Sequence, residues 1–145
     1  MTIRRMDNIG IVVDDLKAAI AFFVELGLEL EGETTVEGPS VDRLLGLDGV
    51  RSDIAMLRTP DGQGRLELSR FHAPPASTAE PNAPMNTLGI RRIMFAVDDI
   101  DGVVAGLRAR GSELVGEVVQ YEDSYRLCYV RGPEGILVAL AEQLS

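Results

Sequence analysis

Two stretches of the chain each place a polar side chain inside an otherwise apolar strand pattern. The stretch MDNIGIVVDD contains Asn8, and the stretch IRRIMFAVDD contains Arg92, each five positions before the valine of a Val-Asp-Asp triplet. A guanidinium is a permanent cation whose N–H groups form a fork that matches a carboxylate, and an amide both donates and accepts hydrogen bonds. Side chains of these types are suited to holding a polar ligand or another charged group.

Strand alternation predicts which side chains share a face with Asn8 and Arg92, because successive side chains of a strand point to opposite faces. If the mainly apolar face is covered by helices, Arg65 and Glu67 of the segment RLELS lie on the other face, together with Asn8 and Arg92. The predicted helix-facing set is Ile9, Ile11, Leu66, Leu68, Ile93, Phe95, Val138 and Leu140, and the predicted opposite set is Met6, Asn8, Arg65, Glu67, Ser69, Arg92, Met94, Leu137 and Ala139.

Three further residue types also merit attention. Tyr125 and Tyr129 share one face of the strand pattern SYRLCYVR and could line a cavity or stack on a planar ligand, or be ordinary strand-forming residues. The single cysteine, Cys128, lies in the same apolar strand, which predicts a buried, unreactive thiol. The single histidine, His72, is expected at the surface where a linker begins. No nucleophile with a histidine partner is predicted from this pattern.

An internal repeat organises these residues. Shifting the chain by 84 positions places Val13-Asp14-Asp15 on Val97-Asp98-Asp99 and gives nine identities in the 21 positions from 13 to 33. The glycines are in register, since Gly27 coincides with Gly111. This match indicates a duplicated module, and it makes Asn8 and Arg92 two copies of one structural position.

Each half has the same order of predicted elements, βαβββ. A strand (6–13 or 90–97) precedes a helix that an aspartate can cap and that ends at Gly27 or Gly111. We expect an α+β fold of two modules, 1–71 and 88–145, joined by a Pro- and Ala-rich linker at 72–87. The stretch VEGPSVDRLLGLDGVRSD favours a short surface helix within the first module.

Composition excludes several classes of function. The chain has 145 residues, 23 acidic against 14 basic, and a net charge of −9, which argues against a nucleic-acid-binding surface. It contains no apolar run of the roughly 20 residues needed to cross a bilayer and no apolar signal-peptide core, so we expect a cytoplasmic protein without a membrane partner. One cysteine allows neither an internal disulfide nor a Cys-based zinc cluster.

The chain resembles the vicinal oxygen chelate superfamily, which includes glyoxalase I, extradiol dioxygenases and bleomycin-resistance proteins. The resemblance covers nearly the whole chain through the segments DNIGIVVDDLKAAIAFFVELGLEL, RLELSRF, GIRRIMFAVDD and GPEGILVALAE. It implies mixed sheets curved around a central cavity. This fold hosts lyases, isomerases, oxygenases and binding proteins, so the family alone does not fix the activity.

In metal-dependent members each half supplies ligands from its first and last strands. The matching positions here are Asn8 and Glu67 in the first half and Arg92 and Ala139 in the second. Zinc sites need about three protein ligands, and non-haem iron needs two histidines and a carboxylate. Only Glu67 is a good ligand, and Arg92 would repel a cation. We therefore expect no metal ligands and no cofactor.

The resemblance also implies that Arg92 and Glu67 approach one another where other members hold a metal. We expect the guanidinium to take the carboxylate in a bidentate pair, its charge replacing that of the ion. The pair could serve ligand binding or be purely structural. If it is fully buried, removing one partner would cost roughly 3–5 kcal/mol.

Three functions follow from these expectations. The first is a metal-free protein that binds a small organic molecule through Asn8, Arg65, Glu67, Arg92 and the tyrosines, usually as a homodimer in the related resistance proteins. The second is a metal-independent lyase, isomerase or related enzyme in which Glu67 is the general base and Arg92 stabilises a developing enolate or carboxylate. A carboxylate paired with arginine is a weaker base, which opposes this function. The third, a metal-dependent lyase or dioxygenase, is opposed by the missing ligands.

Overall fold

The computed structural model describes residues 2–78 and 80–144, and these form two compact units, residues 1–78 (the first unit) and 79–145 (the second unit). The first unit contains β1 (Ile9–Val12), α1 (Leu16–Leu26), β2 (Glu29–Glu37), α2 (Pro39–Leu45), β3 (Arg51–Arg58) and β4 (Arg65–Ala73). The second contains β5 (Arg92–Val97), α3 (Ile100–Ala109), β6 (Leu114–Tyr121), β7 (Tyr125–Arg131), a 3-10 turn (Pro133–Gly135) and β8 (Leu137–Gln143). The predicted α+β class, the βαβββ order and the short helix α2 are confirmed.

Each unit contains a four-stranded mixed sheet of the same topology. The strand orders are β1-β4-β3-β2 and β5-β8-β7-β6. The first strand of each unit pairs in parallel with the last, and the other neighbours are antiparallel. Because β1 and β2 lie at opposite edges of one sheet, α1 crosses the sheet between them, and α3 does the same for β5 and β6.

The first strands are shorter than predicted. We expected strands at 6–13 and 90–97, whereas pairing begins at Ile9 and at Arg92. The reason is the neighbouring strand: Ile9 pairs with Leu66, near the start of β4, and Arg92 pairs with Leu137, the first residue of β8. At most one residue of the neighbouring strand precedes these points, so the pairing cannot extend to residues 6 and 90.

Aspartates start the two long helices, as predicted. The Asp15 carboxylate accepts a hydrogen bond from the Ala18 N–H at 3.0 Å, and the Asp99 carboxylate accepts one from the Gly102 N–H at 3.1 Å. Such caps satisfy backbone donors that the helix leaves without a partner. At the other end of α1, Gly27 adopts a left-handed conformation with φ of +117°.

In each unit, a side chain near the end of the last strand forms a hydrogen bond with the backbone near the start of the helix. This side chain is the donor in the first unit and the acceptor in the second. In the first unit the Arg70 Nε donates to the Asp14 carbonyl at 2.9 Å. In the second unit the Glu142 carboxylate accepts from the Ile100 N–H at 2.9 Å. Arg70 and Glu142 occupy the same position when RLELSR is aligned with LVALAE, so the duplicated modules keep the contact and change its chemistry.

Burial largely confirms the predicted helix-facing set. Ile11, Leu66, Leu68, Ile93, Val138 and Leu140 are buried, while Ile9 and Phe95 are only partly buried. In the predicted opposite set, Leu137 and Ala139 are 2% and 0% exposed, because β8 is an interior strand whose residues from 137 to 141 are all buried.

The segment predicted as a linker at 72–87 is partly ordered by neighbouring elements. His72 lies within β4, not after it, because that strand continues to Ala73. In the second unit the Arg131 guanidinium donates to the carbonyls of Ala83 (2.8 Å) and Gly135 (2.9 Å), which ties the segment to the turn between β7 and β8. Within the described part of the chain, no helix has the length and apolar character needed to cross a membrane.

Candidate functional site

In the second unit, three side chains of the predicted site lie in one row across the sheet. Met94 pairs with Ala139, and Ala139 pairs with Tyr129, so the three point to the same face. Tyr125 lies four residues before Tyr129 on β7 and shares that face, where it is 41% exposed. The row therefore combines an exposed thioether, a small buried residue and an aromatic ring.

Arg92 contacts this row by reaching across β8. Its guanidinium carbon lies 5.9 Å from the centre of the Tyr129 ring, within the range of a cation–π interaction. Arg92 is on β5 and Tyr129 on β7, with Leu137 and Ala139 of β8 between them. The small methyl side chain of Ala139 leaves space for the guanidinium to approach the ring. A longer side chain at position 139 would fill that space.

In the first unit, the two residues paired with Glu67 across the sheet are uncharged. Glu67 lies between Gly10 on β1 and Met56 on β3, and a Cβ added to Gly10 would meet nothing within 4 Å. Among the described residues of its own unit, Glu67 has no hydrogen-bond or ion-pair partner. Its carboxylate oxygens are thus available on this face as acceptors.

Asn8 and Arg65 have acidic partners within the first unit. The Asn8 amide donates to Asp7 at 3.0 Å. Arg65 Nη2 donates to the Glu31 carboxylate at 3.4 Å, and Arg65 Nε lies 2.9 Å from the same carboxylate without hydrogen-bond alignment. Hydrogen bonds from Arg5 and then Asn8 lower the pKa of Asp7. Extending the β1–β4 register by one residue places Asn8 beside Arg65. These residues form a polar cluster next to Glu67 and not a set of free ligand donors.

The predicted contact between Arg92 and Glu67 would join the first unit to the second, and it stays a prediction. The same holds for the assignment of Asn8, Arg65, Glu67, Arg92, Tyr125 and Tyr129 to a ligand site. The structure shows where each residue lies in its own sheet, and which neighbours it has there.

The residues at the four positions do not fit a divalent cation. Glu67 supplies one carboxylate, Asn8 one amide that is hydrogen-bonded to Asp7, Ala139 no donor and Arg92 a positive charge. In residues 2–78 and 80–144, no three His, Cys, Asp or Glu side chains are grouped so that they could hold a metal ion. A stable site for zinc or iron needs more anionic or imidazole donors than these.

The first sheet carries a polar cluster that was not predicted from the sequence, and it joins β2, β3 and β4. The Asp53 carboxylate accepts from the Thr35 hydroxyl at 2.7 Å and contacts His72 Nε2 at 2.7 Å. Arg70 lies 3.1 Å from His72 Nδ1. Hydrogen bonds from His72 and then Thr35 lower the pKa of Asp53. Three strands contribute to the cluster, so only their register, which the sequence does not display, could have revealed it.

Two further features lie outside the predicted site. Cys128 is buried, as predicted, and burial raises the pKa of its thiol, which keeps it in the less reactive protonated form. A polar depression of about 460 Å³ lies at the end of α3, and it contains none of the predicted site residues. It is lined by Arg108, Gly111, Ser112, Glu113, Leu114 and Gly116.

Comparisons with known proteins agree with this architecture. Residues 5–140 match the model of the glyoxalase/bleomycin resistance protein/dioxygenase superfamily. A glyoxalase family protein of Bacillus cereus is 55% identical, with a TM-score of 0.96 over 100% of this chain and 97% of that one. The uncharacterized protein YaeR of Escherichia coli is 28% identical over 97% of this chain and 98% of its own length. The trypanothione-dependent glyoxalase I of Leishmania major is similar in fold, with 20% identity, a TM-score of 0.68, and coverage of 96% and 86%.

Proposed function

Since the chain belongs to the glyoxalase/bleomycin resistance protein/dioxygenase superfamily, we propose that it binds a small organic molecule and does so without a metal ion. The observation that carries the proposal is the contact between Arg92 and Tyr129. At positions where metal-dependent relatives are expected to place ligands, this chain has a guanidinium held on an aromatic ring and the methyl group of Ala139.

The proposed site combines an apolar surface with a few polar groups, as small-molecule sites commonly do. Met94 and the rings of Tyr125 and Tyr129 supply the apolar contacts. Arg92 supplies donors, and Glu67 supplies an acceptor. Asn8 and Arg65 have a supporting role in the proposal, because their contacts with Asp7 and Glu31 hold a polar rim beside Glu67.

The proposal includes a homodimer in the cytoplasm, which the resemblance to resistance proteins implies. Analytical ultracentrifugation of the purified chain measures its mass in solution. A species of twice the chain mass of 15.7 kDa is expected. A monomer at all concentrations would contradict the dimer.

Ligand binding is tested by a thermal-shift screen of the purified protein against aromatic metabolites and antibiotics. A bound compound raises the midpoint of unfolding by mass action, by an amount that grows with its concentration. We expect at least one compound to do so for the wild type and for Arg108→Gln, an exposed control on α3, and not for Arg92→Gln. Elemental analysis that finds stoichiometric zinc, nickel, manganese or iron in the protein would contradict the metal-free site.

A second candidate function, a metal-independent enzyme with Glu67 as general base, is favoured by one observation. Glu67 has no hydrogen-bond or ion-pair partner within the described residues of its own unit, so its oxygens are available to accept a proton there. In this case Arg92 would stabilise the negative charge that develops on the substrate. For a compound found in the screen, loss of turnover with retained binding in Glu67→Gln supports catalysis, whereas unchanged chemistry contradicts it.

A further inference from the structure

Arg92 differs from several arginines of the chain in what holds its guanidinium. Arg51, Arg58, Arg65 and Arg126 each place a nitrogen 2.8–3.4 Å from a carboxylate oxygen of their own unit. In the second unit, Arg92 has no such partner among the described residues, and its recorded contact is the ring of Tyr129. In a chain with 23 acidic residues, an exposed arginine positioned by an aromatic ring is an exception that calls for a physical reason.

A ring and a carboxylate hold a guanidinium in different ways. A carboxylate uses the N–H groups at the edge of the guanidinium, whereas an aromatic ring attracts its positive face. The contact with Tyr129 therefore restricts the position of the cation while leaving its N–H donors available. A planar acceptor with two oxygens matches this arrangement, because it can take two parallel hydrogen bonds.

The surroundings of Arg92 favour an organic acid over an inorganic anion. The neighbouring positions on this face are Met94, which is 46% exposed, and the buried Leu137 and Ala139, all of which are apolar. Arg131 lies on the same face, beyond Leu137. Its guanidinium donates to the carbonyls of Ala83 and Gly135, which leaves Arg92 to balance one negative charge of a ligand. The nearby Tyr125 and Tyr129 rings suit a planar body attached to the charged group.

We propose that the ligand of this protein is a small planar monocarboxylate whose carboxylate binds Arg92 in a bidentate manner. This inference rests on the proposed function and adds the chemical class of the ligand. Glu67, if it reaches Arg92, competes with the ligand for the same guanidinium.

The test compares acids with their uncharged amides. Benzoate and 2-naphthoate are matched with benzamide and 2-naphthamide, which keep the ring and remove the charge. Dissociation constants are measured by calorimetry on the full chain near neutral pH. At least one acid is expected to bind about tenfold or more tightly than its amide. Added sodium chloride should weaken binding of the acid more than binding of the amide.

Four variants identify the groups responsible. Arg92→Gln should remove the preference for the acid, and Arg108→Gln should keep it. Tyr129→Phe should retain tight binding because it keeps the ring, whereas Tyr129→Leu should weaken it. Arg92 is exposed, so its replacement is not expected to prevent folding, and circular dichroism during heating verifies this.

Three results would overturn the inference. Equal affinity for acid and amide in the wild type would exclude carboxylate recognition while leaving the proposed binding function standing. Preference for the acid that persists in Arg92→Gln would assign the recognition to another residue. If none of the four probes binds, the carboxylate class fails, and the broader thermal-shift screen decides separately whether the protein binds any small molecule.

Discussion

Asn8 and Arg92 occupy one position of the repeat, and Glu67 and Ala139 occupy another, yet the two copies differ in charge. The first unit presents an acceptor carboxylate beside a polar cluster, and the second presents a cation held on a ring. The cation–π contact depends on the small size of Ala139, since Arg92 crosses β8 at that point. Alanine at position 139 and arginine at position 92 therefore act together, because a glutamate at position 139 would compete with the ring for the guanidinium.

Gly135 supports this part of the second unit by allowing a close backbone contact. Its φ is +73°, and an added Cβ would meet the Pro81 carbonyl oxygen at a distance that no structure tolerates. We predict that Gly135→Ala lowers the free energy of unfolding by about 1–3 kcal/mol, because the backbone must shift and the left-handed conformation is strained. Urea unfolding measures the change.

A matched glycine provides the control for that substitution. Gly106 lies inside α3, where an added Cβ would meet nothing within 4 Å. Gly106→Ala should raise the free energy of unfolding by about 0.4–1 kcal/mol, because alanine favours the helix. Equal effects of the two substitutions would show that the Pro81 contact is not a constraint.

At the scale of elements, features encoded by neighbouring residues were predictable from the sequence, whereas contacts between strands were not. The helices α1 and α3 were predictable because caps, periodicity and terminal glycines are encoded within about a dozen neighbouring residues. The cation–π contact of Arg92 was not, because it depends on the order of three strands. The burial of Leu137 was likewise not predictable, since alternation alone does not tell whether the second face of an interior strand is covered.

The cluster of Thr35, Asp53, Arg70 and His72 links three strands of the first sheet, and its stability should depend on pH. Hydrogen bonding, chiefly from His72, lowers the pKa of Asp53 from 3.8, so its contribution to stability is present above pH 3.8. That contribution is lost as the pH falls through the lowered pKa. We predict that His72→Gln brings the pKa of Asp53 closer to 3.8 and makes the loss of stability in acid shallower.

Carboxyl carbon NMR titration and urea unfolding between about pH 2.5 and 5 test this prediction. Asp61 is an internal control, because the Thr59 hydroxyl and the Gln63 backbone lower its pKa without His72. Its titration should be the same in both proteins. A pKa of Asp53 that does not change in His72→Gln would show that the histidine does not stabilise its carboxylate.

At the scale of the whole molecule, the two units keep one architecture while their polar chemistry has diverged. The sheets have the same strand order, and Asp15 and Asp99 cap the helices in the same way. Arg70 and Glu142 hold the same strand–helix junction with opposite charges. Under the proposed function, the two copies would contribute different groups, an acceptor from the first unit and a donor from the second.

The prediction that Arg92 pairs with Glu67 concerns this division of roles and is tested by a double-mutant cycle. Free energies of unfolding are measured for Arg92→Gln, Glu67→Gln and the double variant. Because Arg92 is exposed, we expect a coupling of about 0.5–1 kcal/mol and not the larger value of a buried pair. The pair of Arg126 and Asp101, whose two hydrogen bonds are 2.8 and 2.9 Å long, serves as a positive control for coupling.

If the Glu67 carboxylate binds the Arg92 guanidinium, Glu67→Gln should also tighten the binding of 2-naphthoate, since the ligand then has no competitor. Additive effects in the cycle together with unchanged 2-naphthoate affinity would show that the two charges act independently, and that Arg92 is positioned by Tyr129 alone.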